Sequence, residues 1–479
     1  MKEKNLAKNA IFNVVYKIFN IIFPLVTAAY ISRILLAVGV GKFNIAQNIV
    51  QYFVLVAPLG LINHGTREIA RQKGNRKGQL ETFSSLFLIN LISTALCTVA
   101  YYSIIFSVPY FASERLLFSA VGIQLILNVL NVEWFFQGNE DYVYISIRNI
   151  VVKLIAMILM FVFVKKSSDY VIYALIYSFG ITGNYLLNIL KAFKRGVRLS
   201  FKGIRIIEHL RPLFVLLAST IAIELYTLVD TTMLGAICGD EIVGYYSNAA
   251  KLDRIIIGLI AAIGAVLLPR LSFYRENGMV DETNKLISSI VMMITFLALP
   301  CFVGVLFLAR PLVLTLFGQA FEPSILTVRI GSGLFLTLAY SNLFGTQVLL
   351  SNGQETKLLF CTLVGAGINI SLNLFLIRFY QQNGAIIASV ISEFTVCLLS
   401  YLFARKYVSL EIRPIFFVKT FISLFLLFFS LVICAFFGLI DILEILVFTS
   451  VGAFVYLGSS ILLKNEAVLI FLKSIKKEN

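Results

Sequence analysis

Residues 286–308 read LISSIVMMITFLALPCFVGVLFL and contain no charged side chain. At about 1.5 Å of rise per residue, a helix of that length crosses a hydrocarbon core about 30 Å thick. Thirteen further stretches of similar character flank it: 10–34, 43–64, 82–106, 114–136, 143–164, 170–190, 213–237, 242–268, 324–350, 358–379, 385–404, 415–437 and 443–463. The whole chain agrees, with 479 residues, 59% hydrophobic and 14% charged, and a mean hydropathy of +0.91. Soluble domains carry roughly 45–50% apolar and about 25% charged residues. Too few charges are present here to cover several soluble domains. Long continuous apolar runs select helices over the short alternating strands of a membrane barrel. The expected fold is an all-α integral membrane protein with about fourteen transmembrane helices.

Orientation follows from the basic residues. With the N-terminus inside, most of the 40 Lys and Arg fall on the cytoplasmic side. One loop holds Arg67, Arg71, Lys73, Arg76 and Lys77; another holds Lys191, Lys194, Arg195, Arg198, Lys202, Arg205 and Arg211; Lys473, Lys476 and Lys477 lie in the tail. Both termini are expected in the cytoplasm. The net charge of +15 is then an expression of this asymmetry, with a secondary attraction to anionic lipid, and calls for no nucleic-acid partner. Lys2, Lys4 and Lys8 before an apolar run resemble the start of a signal peptide, but the run is too long for one and carries Asn13, Lys17 and Asn20. The six scattered cysteines form no CxxC pair, and neither His64 nor His209 has metal-ligand neighbours in sequence, so no metal or cofactor is expected.

The chain looks doubled. Gly41, Asn44 and Arg67 find Gly244, Ser247 and Arg270 at an offset of 203, and Gly138-Asn139-Glu140 finds Gly353-Gln354-Glu355 at 215. In this reading residues 1–195 form an N-terminal six-helix bundle and 196–212 a basic cytoplasmic linker. Residues 213–404 form a second six-helix bundle, and 405–479 an appended helix pair with the basic tail. Both halves start in the cytoplasm, so the repeat is parallel, with a substrate site between the bundles. That organisation points to a transporter.

Charges within spans cost about 2.5–3.5 kcal/mol each on insertion scales and need a reason. The first predicted helix aligns Asn13, Lys17, Asn20, Pro24 and Thr27 on one face, with a bend expected at Pro24. The second carries Asn44, Gln47, Asn48 and Gln51; the seventh carries Thr220, Glu224, Thr227 and Thr231 beside Asp230; the eighth carries Asn248, Lys251 and Arg254. Lys251, Glu224 and Lys153 fall near mid-depth, whereas Lys419 and Arg329 lie near span ends and can reach the interface. Two readings of Lys251 and Arg254 stand side by side. They form an internal ion pair with Glu224 or Asp253, or they line a basic hydrated cavity for an anionic group, joined by Lys17, Lys153, Asn48 and Asn248. Glu224, Asp230 and Glu393 are candidates for ion coupling.

No GxxxxGK[ST], GxSxG or HExxH is present. The segments between spans are too short for a catalytic domain, so no enzyme is expected. A membrane enzyme of polysaccharide assembly is the remote alternative.

Three stretches carry a family resemblance: ELYTLVDTTMLGAICGDEIVGYYSNAAKL at 224–252, WFFQGNEDY at 134–142 and SRILLAVGVGKFN at 32–44. They resemble the Wzx-type oligosaccharide flippases of the multidrug/oligosaccharidyl-lipid/polysaccharide exporter superfamily. The resemblance implies a V-shaped pair of bundles in the bacterial cytoplasmic membrane. It implies alternating access around a cationic cavity, carrying undecaprenyl-pyrophosphate-linked oligosaccharide units from the inner to the outer leaflet for capsule, O-antigen or exopolysaccharide. Other polysaccharide-assembly proteins are candidate partners. Within the superfamily the alternatives are a peptidoglycan-precursor (lipid II) flippase and a multidrug or cation antiporter.

Overall fold

A computed structural model describes the backbone of residues 6–200 and 203–470, and their side chains except at 6–22, 215–216, 218–227, 261–270, 272 and 275–276. All fourteen predicted stretches are helical, though several are divided differently. In order the helices are α1 (Leu6–Val56), α2 (Leu61–Arg71), α3 (Arg76–Ser107), α4 (Arg115–Leu127), α5 (Glu133–Gly138), α6 (Tyr142–Phe163), α7 (Tyr170–Lys194) and α8 (Ile206–Cys238). They continue as α9 (Asp240–Glu276), α10 (Val280–Phe317), α11 (Ser324–Gly331), α12 (Leu334–Ser341), α13 (Glu355–Ala404), α14 (Pro414–Ala435) and α15 (Asp441–Leu462). Ten helical segments among the described residues are long and apolar enough to cross a membrane. The chain is a multi-pass membrane protein.

At about 1.5 Å per residue, α1 and α13 would each run more than twice the thickness of a bilayer's hydrocarbon core if straight. Each is two helices meeting at a kink, at Leu36 (φ 58°, ψ −177°) in α1 and Gln381 (φ 50°, ψ −127°) in α13. The break in α1 falls at Leu36, just past the end of the predicted first span, and Pro24 stays inside the helical run. The Thr27 hydroxyl there donates to the Phe23 and Pro24 carbonyls, at 2.9 and 3.1 Å. The predicted helix 43–64 also ends early, at Val56, and α2 follows as a separate amphipathic helix. The predicted helix 114–136 breaks after Leu127 around Asn128 and Asn131, where Asn90 Nδ2 donates to the Asn128 carbonyl at 2.9 Å. The predicted helix 324–350 is interrupted at Gly331-Ser332-Gly333 and runs on from α12 as a π-helical turn, Asn342–Leu349.

The chain divides into two compact units, Met1–Gly244 and Tyr245–Asn479. The cut falls after α8, because α8 packs along α1: Asn48 Nδ2 donates to the Leu228 carbonyl at 3.0 Å and to the Thr232 hydroxyl at 2.7 Å. In the first unit Leu61, Phe83, Trp134, Phe136, Ile189 and Leu213 form one core. In the second, α14 and α15 pack on α10 through Phe296, Phe416, Leu427, Phe448 and Tyr456, and the Tyr456 hydroxyl donates to the Phe296 carbonyl at 2.8 Å. Lipid contributes no hydrophobic drive to helix pairing, so such hydrogen bonds and close packing hold the bundles.

Left-handed backbone positions recur along the chain. Leu36 (φ 58°, ψ −177°) has a counterpart 203 residues later in Gly239 (φ 86°, ψ −172°). Gly74 (φ 92°) and Gly278 (φ 67°) are 204 apart, and Glu140 (φ 58°) and Gly353 (φ 67°) are 213 apart. The last pair sits in the same turn: the next amide reaches back five residues, Asp141 to Phe136 at 2.9 Å and Gln354 to Leu349 at 3.0 Å. The offset there is therefore 213 and not the 215 read from the Gly-Asn-Glu match.

Gly41 and Gly244, also 203 apart, make a reciprocal contact. A Cβ on Gly41 would lie 1.6 Å from the Asp240 carbonyl oxygen, and one on Gly244 would lie 2.1 Å from that of Ala37. Ala37 and Asp240 are themselves 203 apart. Backbone on backbone leaves no side chain to yield, so Gly41→Val and Gly244→Val are each expected to destabilise the fold by about 1–3 kcal/mol or more. Gly304→Ala, with nothing within 4 Å of its Cβ, is the control and should be neutral. Thermal unfolding in detergent checks this, and wild-type midpoints for both valine variants would refute the close approach.

Candidate functional site

Lys251 and Arg254 project from α9 one turn apart, Lys251 half-buried and Arg254 exposed. Neither makes an ion pair or hydrogen bond with a described residue, Asp253 between them included. The ion pair with Asp253 is thus not formed, and Glu224, the other acid weighed for these bases, has its side chain outside the described residues. Asn248, one turn before Lys251, is fully buried. On α6, Lys153 is half-buried, with its ammonium 5.5 Å from the centroid of the Phe23 ring. Asn48 is buried and engaged by α8 as described. Asp230 and Glu393 are buried, and the Ser341 hydroxyl donates to Glu393 Oε2 at 3.4 Å. The side chains of Lys17 and Glu224 lie outside the described residues. Lys419 is tied to Glu466 Oε1 at 3.3 Å and to the Lys464 carbonyl at 3.0 Å.

The WFFQGNEDY stretch is a junction. Glu133, just before it, accepts from Arg148 of α6 at 2.8 Å, and Gln137 accepts from Thr66 of α2 at 3.2 Å. Asn139 accepts from Gln79 of α3 at 3.3 Å, Glu140 pairs with Lys73 at 2.9 Å, and Asp141 pairs with Arg195 after α7. Beneath these bonds Gly65 of α2 lets the backbone lie against Trp134, whose ring atoms would be 2.8 Å from a Cβ there. Arg148 also donates through Nε to Asn184 at 3.1 Å and through a terminal nitrogen to Asn188, with its guanidinium 5.3 Å from the Tyr144 ring centroid.

Sequence spacing gave no hint that the chain's two histidines meet. His64 Nε2 of α2 lies 2.9 Å from His209 Nδ1 of α8, across 145 residues. One nitrogen must donate and the other accept, so both rings cannot carry a second proton without turning two donors on each other. Burial pushes the His209 imidazole below its ordinary 6.5, partly offset by Glu68 and Glu208. The unfolded chain therefore binds the proton more readily, and this contribution to stability is present above that pH and is lost as pH falls below it. A smaller drop in thermal midpoint between pH 7.5 and 5.5 is expected for His209→Gln than for wild type. An equal drop in both would remove the pair from the pH response.

The Polysaccharide biosynthesis protein family model matches residues 6–275, more than half of the chain. The chain belongs to this family. A putative O-antigen transporter of Escherichia coli (strain K12) is 25% identical over 410 residues, covering 84% of this chain and 97% of that protein. The lipid II flippase MurJ of Bacillus subtilis (strain 168) is 25% identical over 205 residues, covering 39% of this chain and 36% of that protein. Among solved structures, a lipid II flippase MurJ in an inward closed conformation superposes with a TM-score of 0.75 at 16% identity, covering 96% of this chain and 100% of that one. An inward-facing multidrug resistance transporter of the MATE family, in the MOP superfamily, superposes at 0.61 and 15% identity, covering 80% and 93%. At these identities the structural matches establish that this member of the polysaccharide biosynthesis family shares their fold.

Proposed function

We propose that this chain is a flippase that moves polyprenyl-diphosphate-linked oligosaccharide units from the inner to the outer leaflet of the bacterial cytoplasmic membrane, for surface polysaccharide assembly. On this reading both termini are cytoplasmic, the two six-helix repeats work by alternating access, and helices 13 and 14 of the sequence count are appended. The observation that carries the reading is the pair Lys251 and Arg254: two cations at span depth that pair with no anion among the described residues. Unpaired bases within a membrane are costly unless water or an anionic substrate meets them. A diphosphate does so with charge-assisted hydrogen bonds, and an arginine can grip it through two of them. The name of the E. coli relative, a putative O-antigen transporter, points to the same class of cargo. The glycan would travel through the hydrated lumen while the polyprenyl chain stays in lipid.

The MurJ likeness favours one rival cargo, the lipid-linked peptidoglycan precursor, which bears the same diphosphate. The test is reconstitution in liposomes holding either lipid, followed by the accessibility of the headgroup to an added lectin or glycosidase. Protein-dependent exposure of a lipid-linked oligosaccharide supports the reading. Exposure of the peptidoglycan precursor alone would replace it with the rival, and movement of neither lipid would sink both.

A further inference from the structure

Asp253 lies between Lys251 and Arg254 on α9 yet faces the interior of its bundle. It is 1% exposed, and both of its carboxylate oxygens are buried without a hydrogen-bond partner. It rests against α11 at Gly331, where a Cβ would lie 2.0 Å from Asp253 Oδ2. Glycine at 331 is what gives the carboxyl group its space, and it places that group at the interruption between α11 and α12.

The repeat supplies an internal control. The 203-residue offset that pairs Gly41 with Gly244 runs unbroken along the helices on either side, and it pairs Asp253 with Val50 of α1. Val50 is 0% exposed. Packing in the first repeat is thus satisfied by an apolar side chain of nearly the same shape, and the acid in the second is not demanded by packing. A buried carboxylate with no donor is strongly disfavoured in its ionised form. A metal cation would need several oxygen ligands, and among the described residues no group of three or more His, Cys, Asp or Glu side chains could hold one. A proton needs none.

We propose that Asp253 is a proton-carrying site of the transport cycle, protonated in the conformation described here and ionised when the α9–α11 contact opens to water. This rests on the flippase reading. The step is a single O–H bond made on one side of the membrane and broken on the other, with the proton going to bulk water. The charged groups around it do not compensate the ionised form. On its own helix Lys251 and Arg254 form no ion pair with it, and neither does Arg329, two residues before Gly331 on α11. Arg378 on α13 and Lys285 and Arg310 on α10, the helices that pack on α11, likewise form no ion pair with it, and Glu393 on α13 is an acid that cannot neutralise it.

Two readouts separate this inference from the flippase reading. Infrared difference spectroscopy of purified protein at neutral pH should show the carbonyl stretch of a protonated carboxylic acid in wild type, and its loss in Asp253→Asn and Asp253→Val. No difference between wild type and both variants would overturn the proposal, whatever the cargo. In liposomes, an imposed proton gradient should accelerate headgroup exposure by wild type, and both variants should lose that acceleration while keeping a wild-type thermal midpoint. Asp253→Val guards against a folding failure, since valine is what the first repeat uses. Undiminished acceleration in the variants, or a sodium gradient replacing the proton gradient in wild type, would refute the proton assignment. Failure of wild type to move any lipid would count against the flippase reading, leaving the infrared result to judge Asp253.

Discussion

Replacing Glu133 by alanine is expected to destabilise the first unit by about 3–5 kcal/mol, the usual penalty for stranding one member of a buried ion pair. Arg148 is the stranded group: its side chain is 2% exposed, against 22% for Glu133, and the 2.8 Å contact between them is its only ion pair with a described residue. A guanidinium does not escape by losing its proton. Asn184 and Asn188 can still accept from it, but they bring no charge. Arg148→Met on its own removes the costly group and leaves the more exposed carboxylate, so it should cost less. The double variant Glu133→Ala with Arg148→Met should recover most of the loss. Thermal unfolding in detergent of the four proteins forms the cycle; additive single effects would show that the pair does not couple α5 to α6.

Lys251→Ala and Arg254→Ala are expected to abolish most transport while the protein inserts and accumulates normally. Neither side chain bonds to another described residue, so its removal takes no described native bond away. A charge-assisted hydrogen bond contributes about 1.5–3 kcal/mol. At about 1.4 kcal/mol per factor of ten, each substitution should slow headgroup exposure roughly tenfold to a hundredfold. Lys251→Arg keeps the charge and should retain part of the rate. Normal surface polysaccharide from either alanine variant, at equal protein level, would take that residue out of the mechanism.

These two expectations come from different depths of reading. Lys251 and Arg254 stand out in the sequence because a base inside an apolar run is conspicuous wherever it points. Glu133 and Arg148 do not, since an acid at a predicted helix end and a base near a helix start look like ordinary interfacial residues. Only packing α5 between α2 and α6 turns them into a buried pair. The same holds for the histidines, whose 2.9 Å contact joins segments 145 residues apart. In the sequence Asp253 is one of two acids, with Glu224, that could pair with these bases; in the structure the helix turns it onto Gly331.

The sequence by itself determined that the chain is helical and membrane-spanning and where most of its helices lie, and it raised the expectation of a repeat. Apolar length, charge placement and spacing are properties of each segment alone, and the bilayer imposes them segment by segment. Tertiary structure decided where α1 breaks, why α8 stays with the first unit, and the true register of the second half of the repeat. A kink at Leu36, a hydrogen bond from Asn48 to Thr232 and a matched left-handed turn at Glu140 and Gly353 all depend on what a second element presents. Local propensity holds no information about a partner that arrives from two hundred residues away.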